Sequence, residues 1–345
     1  MTDVPLSTLT TMQVGGPARE LITATTREQL IEAALDTWDS NEPWLILGGG
    51  SNTIVADEGF DGTVIHVQTT GIERQQDISR SPNHSIIRVA AGENWDSLVA
   101  WSVEQGLAGI EALSGIPGFC GAAPIQNIGA YGHEVSEFIT RVRTYDRQAK
   151  GLKTFTNSEC DFSYRNSHFK AHPGRYVVLD VQFNLRKGEM TTAITYAELA
   201  KKLGVEVGEK APIEATRKAV LELRGAKGML LNTNDRDSWS AGSFFTNPIV
   251  SQEIAAKLPE GAPQWPTADG MVKTSAAWLI ENSGVHKGDS HGGARVSTKH
   301  VLALTNAGNA TATDIAELAK SAQSAVFEKF GITLEPEVNL VGLAL

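Results

Sequence analysis

Hydrophobic positions in the first third of the chain switch between two periods. Leu30, Ile31, Ala34, Leu35 and Trp38 recur at helical spacing, and Thr25 followed by Glu28 has the form of a capping box. One amphipathic helix is predicted there. After Pro43 comes the short, wholly apolar run Trp44-Leu45-Ile46-Leu47, which predicts a buried strand ending in the flexible turn Gly48-Gly49-Gly50-Ser51-Asn52. Further strands are predicted over 64–67, 86–90 and 176–185. From Thr195 the pattern turns helical, first at Tyr196 to Leu199 and again from Ile213 to Leu223. A polar, glycine-containing stretch over 225–240 then marks a domain boundary. Beyond it the pattern predicts a helix over 275–282, a strand over 301–305 and a long helix beginning near Thr313. In that helix Ile315, Leu318, Ala319, Ala322 and Val326 keep one face apolar, and Gly331 is placed to cap its C-terminus. The chain has no internal repeat and no low-complexity tract.

Composition narrows the class. A chain of 345 residues, 41% hydrophobic and 20% charged, has the balance of a globular protein of two or three domains. It has no run of eighteen apolar residues, and Met1-Thr2-Asp3-Val4-Pro5 lacks the basic and apolar regions of a signal peptide, so a cytoplasmic protein without membrane insertion is expected. The net charge of -10 and pI near 5.3 argue against nucleic acid as a partner, because phosphate neutralisation needs clustered Lys and Arg. An anionic substrate would have to meet a local basic pocket. Cys120 and Cys160 form no CxxC pair and the eight histidines are scattered, which supports neither a disulfide framework nor a metal site. Without heptads or a long apolar surface stripe, a monomer is expected.

Two segments carry candidate chemistry. In GGGSN, consecutive glycines after a strand can expose backbone N–H groups as an anion-binding nest. The motif is neither GxGxxG nor GxxxxGK[ST], and taken alone it reads first as a plain Gly-rich turn. The segment over 109–132, GIEALSGIPGFCGAAPIQNIGAYG, is rich in Gly, Ala and Pro yet poor in charge, as suits a packed loop that approaches a ligand closely. Within it Gln126 and Asn127 need hydrogen-bond partners, and either an isoalloxazine ring or a neighbouring loop could satisfy them.

Six motifs in order, VGGPA (14–18), GGGSN (48–52), IPGFCGAAPIQNIGAYG (116–132), SYRNS (163–167), AGSFFTNP (241–248) and LEPEV (334–338), resemble those of the UDP-N-acetylenolpyruvoylglucosamine reductase family over nearly the whole chain. The resemblance implies an α/β (α+β) protein. Its FAD-binding domain of the vanillyl-alcohol-oxidase/p-cresol methylhydroxylase type would occupy 1–225, with subdomains about 1–70 and 71–225 and the tail 338–345 returning to it. A C-terminal α/β domain over 226–337 would bind the UDP-sugar. The implied catalytic residues are Arg165, Ser243 and Glu337. Non-covalent FAD would be held by Gly48, Gly49, Gly50, Ser51 and Asn52 in the turn. In the long loop the implied FAD residues are Ser114, Ile116, Pro117, Gly118, Gly121, Ala122, Ala123, Ile125, Gln126, Asn127, Gly129 and Tyr131. Tyr196 and Lys227 resemble residues that close over the substrate diphosphate in the longer-loop branch of the family, and Asn247 and Lys287 are further substrate-side candidates.

The implied reaction is NADPH-dependent reduction of UDP-N-acetylglucosamine enolpyruvate to UDP-N-acetylmuramate, a step in peptidoglycan precursor synthesis. Its chemistry suits the three residues. Hydride addition at C3 puts negative charge on the neighbouring carboxylate, which Arg165 can hold and Glu337 can relieve, while Ser243 donates a proton to C2. NADPH has no fingerprint of its own, as suits a ping-pong enzyme that binds both substrates at one pocket. Two departures stand out. Ala122-Ala123 replaces serines of some relatives, and the link MLLNTNDRDSWSAG (229–242) is longer than in some members, which affects the placement of Lys227. A small-molecule oxidase of the same superfamily and a non-catalytic UDP-sugar-binding protein are the competing readings. Neither accounts for an intact catalytic trio.

Overall fold

A computed structural model describes residues 4–40, 42–75 and 82–345. Met1, Thr2 and Asp3 of the N-terminal reading lie outside the described residues. The chain forms two compact units. One comprises Arg19–Gly49 and Asp61–Ala226; the other comprises the residues up to Ala18, Gly50–Phe60 and Lys227–Leu345. In this division residues 4–18 and 50–60 group with the C-terminal part and not with the rest of 1–70.

The unit built on Asp61–Ala226 contains two larger sheets and a two-stranded one that pairs Gly129–Ala130 with His133–Glu134. The three-stranded sheet orders its strands as Ala18–Ala24, Phe60–Val67 and Trp44–Leu47, with Val64 and Ile65 of the central strand fully buried. Next to it in sequence is the Arg27–Asp39 helix. Its cap is Thr26 with Gln29, one residue later than the predicted Thr25 and Glu28: Thr26 accepts from the Gln29 N–H, and the Gln29 side chain reaches back to the N–H groups of Thr25 and Thr26. Either pair has a capping spacing, so the pattern alone does not choose between them.

The larger sheet runs in the order Gly151–Thr156, Ile139–Asp146, Tyr176–Lys187, His84–Ala90 and Ile72–Arg74, all antiparallel. Ile87, Val89, Val142, Val181 and Phe183 face its core and meet Trp95, Leu98 and Val99 of the Trp95–Glu104 helix. Each such side chain contributes about 1.5–3 kcal/mol by leaving water. Trp95 also spends its indole N–H on the Leu113 carbonyl (2.9 Å), so no polar atom is stranded. The helices Ala197–Leu203 and Ile213–Ala226 have a small core of their own around Ile194, Leu199 and Val220.

In the other unit Phe244, Phe245, Leu279, Val296, Leu334 and the apolar face of Ala312–Phe330 form the core. Thr311 caps that helix and Gly331, at φ +67°, ends it as predicted. Ser275 caps the Ala276–Glu281 helix. The strand predicted over 301–305 begins later, at Leu304, and runs to Asn306. Val301, Leu302 and Ala303 are buried in a turn, closed by the Ala303 N–H on the His300 carbonyl, and an apolar run does not distinguish the two. Thr53–Val55 and Asn339–Val341 pair in parallel. Among the described residues no helix is long and apolar enough to cross a membrane.

Candidate active site

The glycine turn is shaped for close approach. Gly50 has φ +57°, and a Cβ there would lie 2.0 Å from the Leu9 carbonyl oxygen. On Gly49 a Cβ would lie 2.9 Å from the Cα of Gly118, and the Phe119 ring packs beside Gly48. The N–H groups of Gly48, Gly49 and Gly50 donate to no protein acceptor among the described residues, although Gly50 is buried. Buried N–H groups normally find an acceptor. Three in succession fit the pyrophosphate of a dinucleotide such as FAD.

The loop over 109–132 is tightly tied. Gly121 donates to the Ala91 carbonyl at 2.7 Å, and a Cβ on Gly121 would lie 2.6 Å from the Ala91 methyl. Gly118 accepts from the Trp95 N–H. Ala122 and Ala123 open the short Ala123–Gln126 helix, which Asn127 ends at φ +45°. Two predicted cofactor residues have their side chains committed to protein. Buried Ser114 donates to the Glu111 carbonyl at 2.6 Å. Asn127 donates to Glu134 (2.7 Å) and to the Ser163 carbonyl (3.0 Å) and accepts from the Ser136 N–H (3.2 Å). Of the two amides singled out in the sequence, Asn127 therefore stitches loops together. Gln126 differs: its Oε1 accepts from Lys170 at 3.1 Å and its Nε2 donates to nothing among the described residues.

Arg165 sits in the same unit, at φ +53°, a conformation that non-glycine residues adopt only when their surroundings enforce it. Its Nη2 donates to the Gly129 carbonyl (3.0 Å) and its Nη1 to that of Asn127 (3.4 Å). Lys170 Nζ donates to the Arg165 carbonyl (2.9 Å), and buried Ser167 donates to the Ile125 carbonyl (2.8 Å). The SYRNS turn is thus fastened to the Gly/Ala-rich loop at four places. Sequence reading missed Lys170, because a lysine in a four-residue helix carries no signal of where its ammonium goes. Tyr131, whose phenol burial pushes up to about 12, meets Tyr196 edge-on, with ring centroids 5.5 Å apart. Tyr196 remains 41% exposed, which leaves ring surface available to a ligand.

In the other unit the backbone brings the AGSFFTNP and LEPEV motifs together. Glu337 donates its N–H to the Phe244 carbonyl (2.8 Å), Phe245 bridges to Pro336, and the Thr246 N–H meets the Glu335 carbonyl. Phe244 and Phe245 are buried beneath and hold this pairing in place. Glu337 therefore lies opposite the residue that follows Ser243, and both are half-buried. Ser243 Oγ makes no hydrogen bond among the described residues, so its proton is uncommitted. Asn52 fixes the same segment: its Nδ2 donates to the Glu337 carbonyl at 3.0 Å, and its own carbonyl accepts from the Asn339 N–H. Its amide Nδ2, too, is engaged with protein.

Two substrate-side candidates have other commitments. Asn247 Oδ1 takes the Ala276 N–H at the start of a helix (3.0 Å), and Lys287 is exposed, 3.9 Å from Glu281. Lys227 opens this unit and is half-buried. Both cysteines are free and buried, and burial raises their thiol pKa values, that of Cys160 to about 12, so neither is a ready nucleophile. Among the described residues no group of three or more His, Cys, Asp or Glu could hold a metal ion.

Comparison with known proteins identifies the family. Residues 18–154 match the FAD binding domain model, and residues 234–341 match the model described as UDP-N-acetylenolpyruvoylglucosamine reductase, C-terminal domain. The chain is 51% identical to the UDP-N-acetylenolpyruvoylglucosamine reductase of Cutibacterium acnes, over 99% of this chain and 90% of that protein. It is 48% identical to that of Streptomyces coelicolor, with the same coverage. The solved structure of the reductase from Thermus caldophilus covers 98% of this chain and 97% of its own, at 27% identity and a TM-score of 0.67. The fold is α/β with a flavin-type domain, and on full-length identity of this order the chain belongs to the UDP-N-acetylenolpyruvoylglucosamine reductase family.

Proposed function

We propose that the chain reduces UDP-N-acetylglucosamine enolpyruvate to UDP-N-acetylmuramate with electrons from NADPH, as a cytoplasmic monomer acting in peptidoglycan precursor synthesis. The observation that carries this reading is the backbone pairing that sets Glu337 beside the Ser243 segment while leaving the Ser243 hydroxyl uncommitted. In this proposal residues 1–225 with the tail 338–345 serve the cofactor and residues 226–337 serve the UDP-sugar.

FAD, when bound, would supply the hydride chemistry at the C3 methylene, with NADPH as the electron source. Everything else falls to the chain. Residues Gly48, Gly49 and Gly50 offer the pyrophosphate their N–H groups, Asn52 positions the Glu337 backbone, and Gln126 presents its free amide end. Arg165 takes the substrate carboxylate bidentately, and its charge becomes more valuable as the enolate forms. Glu337, protonated, donates a hydrogen bond to the developing oxyanion. Ser243 Oγ delivers the proton to C2. A serine hydroxyl is a weak acid, so this transfer needs a strongly basic enolate held within hydrogen-bond reach. Tyr196 stacks on the substrate and Lys227 supplies a point charge for its diphosphate.

The test is spectroscopic. Anaerobic NADPH should bleach the flavin of the purified protein, and UDP-N-acetylglucosamine enolpyruvate should restore its colour. Bleaching without recovery would reject the substrate, and absence of flavin after FAD addition would reject the reading altogether.

A further inference from the structure

The ammonium of Lys170 touches two groups that the proposed reaction depends on: Gln126 Oε1 at 3.1 Å and the Arg165 carbonyl at 2.9 Å. A lysine ammonium carries three donors and no acceptor. The end of the Gln126 amide that faces it is therefore the oxygen. It follows that the other end of Gln126 is the NH2 group, and among the described residues this group has no acceptor. An isoalloxazine ring offers two carbonyl acceptors, O2 and O4, and one donor, N3–H. A glutamine locked in this orientation presents its NH2 donors to a ring carbonyl. Asn127, beside it, has both donors and its acceptor engaged with protein and contributes no such side-chain contact.

We infer that Lys170 is a positioning residue that fixes Gln126 as a hydrogen-bond donor toward a flavin carbonyl and, through the Arg165 carbonyl, holds the backbone from which that guanidinium projects. The inference rests on the function proposed above. A donor aimed at a pyrimidine carbonyl stabilises the negative charge that accumulates on the ring system upon reduction, and so favours the reduced form. Its second contact matters because Arg165 holds a left-handed backbone conformation, with φ +53°. A carbonyl held by a fixed cation resists the relaxation that would swing the side chain away. Ser167 reinforces the same anchor by accepting from the Lys170 N–H (3.2 Å) and donating to the Ile125 carbonyl (2.8 Å).

The holoenzyme is compared with Lys170→Met, Lys170→Arg and Gln126→Glu by measuring the flavin midpoint potential and the two half-reactions in stopped flow. Lys170→Met should lower the potential and slow reoxidation by saturating UDP-N-acetylglucosamine enolpyruvate by about tenfold or more, since small misplacements of a substrate-holding group carry losses of that order. Reduction by NADPH should fall less. Lys170→Arg should restore both quantities at least halfway. Gln126→Glu should also lower the potential, because a carboxylate paired with Lys170 presents an acceptor where the amide presented donors. The inference is overturned if Lys170→Met retains the parent potential and reoxidation rate, or if Lys170→Arg is as impaired as Lys170→Met. Should Lys170→Met fail to fold, Gln126→Glu decides: a lower potential supports the inference and an unchanged or higher one rejects it. A parent protein without flavin, or one that the substrate does not reoxidise, rejects the function reading and this inference with it. A competent parent with unaffected variants rejects the inference alone.

Discussion

Ser243 illustrates how little a serine proposed as a proton donor shows by itself. Its hydroxyl is half-buried and makes no hydrogen bond among the described residues, and its significance comes from Glu337 being held opposite its neighbour by the Phe244 carbonyl. Removing only the proton donor should leave the cofactor side intact. Ser243→Ala is expected to keep NADPH-driven bleaching while slowing reoxidation by the enolpyruvyl substrate by a factor on the order of 10²–10⁴, the usual contribution of a positioned general acid. Equal losses in both half-reactions would contradict the role. The motif letters pointed to Arg165, Ser243 and Glu337, because each lies in a short, chemically distinctive segment. Lys170 was not legible, since its ammonium reaches a side chain 44 positions away and a backbone carbonyl. Ser114 and Asn127 show the converse. They lie within the cofactor motif, yet only the folded loop reveals that their side chains are consumed by Glu111, Glu134, Ser163 and Ser136.

Elements of regular period were read well and irregular ones were not. The Ala312–Phe330 helix was visible from its apolar face and its terminal glycine. Its capping box, in which Thr311 accepts from the Asp314 N–H and Asp314 from the Thr311 N–H, should make Thr311→Ala cost about 1 kcal/mol, measurable by urea denaturation. Short strands escaped notice: Thr53–Val55 and Asn339–Val341 have three residues each, too few for alternation to register, and their pairing spans the chain. The hairpin that joins Ile139–Asp146 to Gly151–Thr156 predicts a pH response. Buried Asp146 accepts from Arg175 and from the N–H groups of Gln148 and Ala149, and chiefly the Arg175 hydrogen bonds hold its carboxyl below the ordinary carboxylate range. Unfolding returns it to the ordinary value near 4. The stabilisation is therefore complete above that value and is lost as pH falls through it toward the lowered, folded-state pKa. Urea midpoints between about pH 5 and pH 3 should decline less steeply in Asp146→Asn than in the parent; parallel declines would dismiss the assignment.

For the molecule as a whole, the proposed dinucleotide is itself a source of stability. A ligand that binds only the folded chain adds about 2.7 kcal/mol at a hundredfold excess over its Kd, so stripping FAD should lower the melting temperature and adding it back should restore it. A melting temperature indifferent to FAD would count against the cofactor. Sequence by itself determined the helical faces, the buried run before the glycine turn, the candidate residue types and the family, because each of these is written in the period or in the ordered motifs of short segments. Tertiary structure alone decided which residues share a compact unit: positions 4–18 and 50–60 join the C-terminal part, and the Asn52 amide reaches a carbonyl 285 positions away at Glu337. It also decided which polar side chains remain available to a ligand and which are consumed in holding loops. The physical reason is the same in both cases. A local period reports which face of a segment is buried, whereas the partner that satisfies a buried polar group is fixed only when distant segments close upon one another.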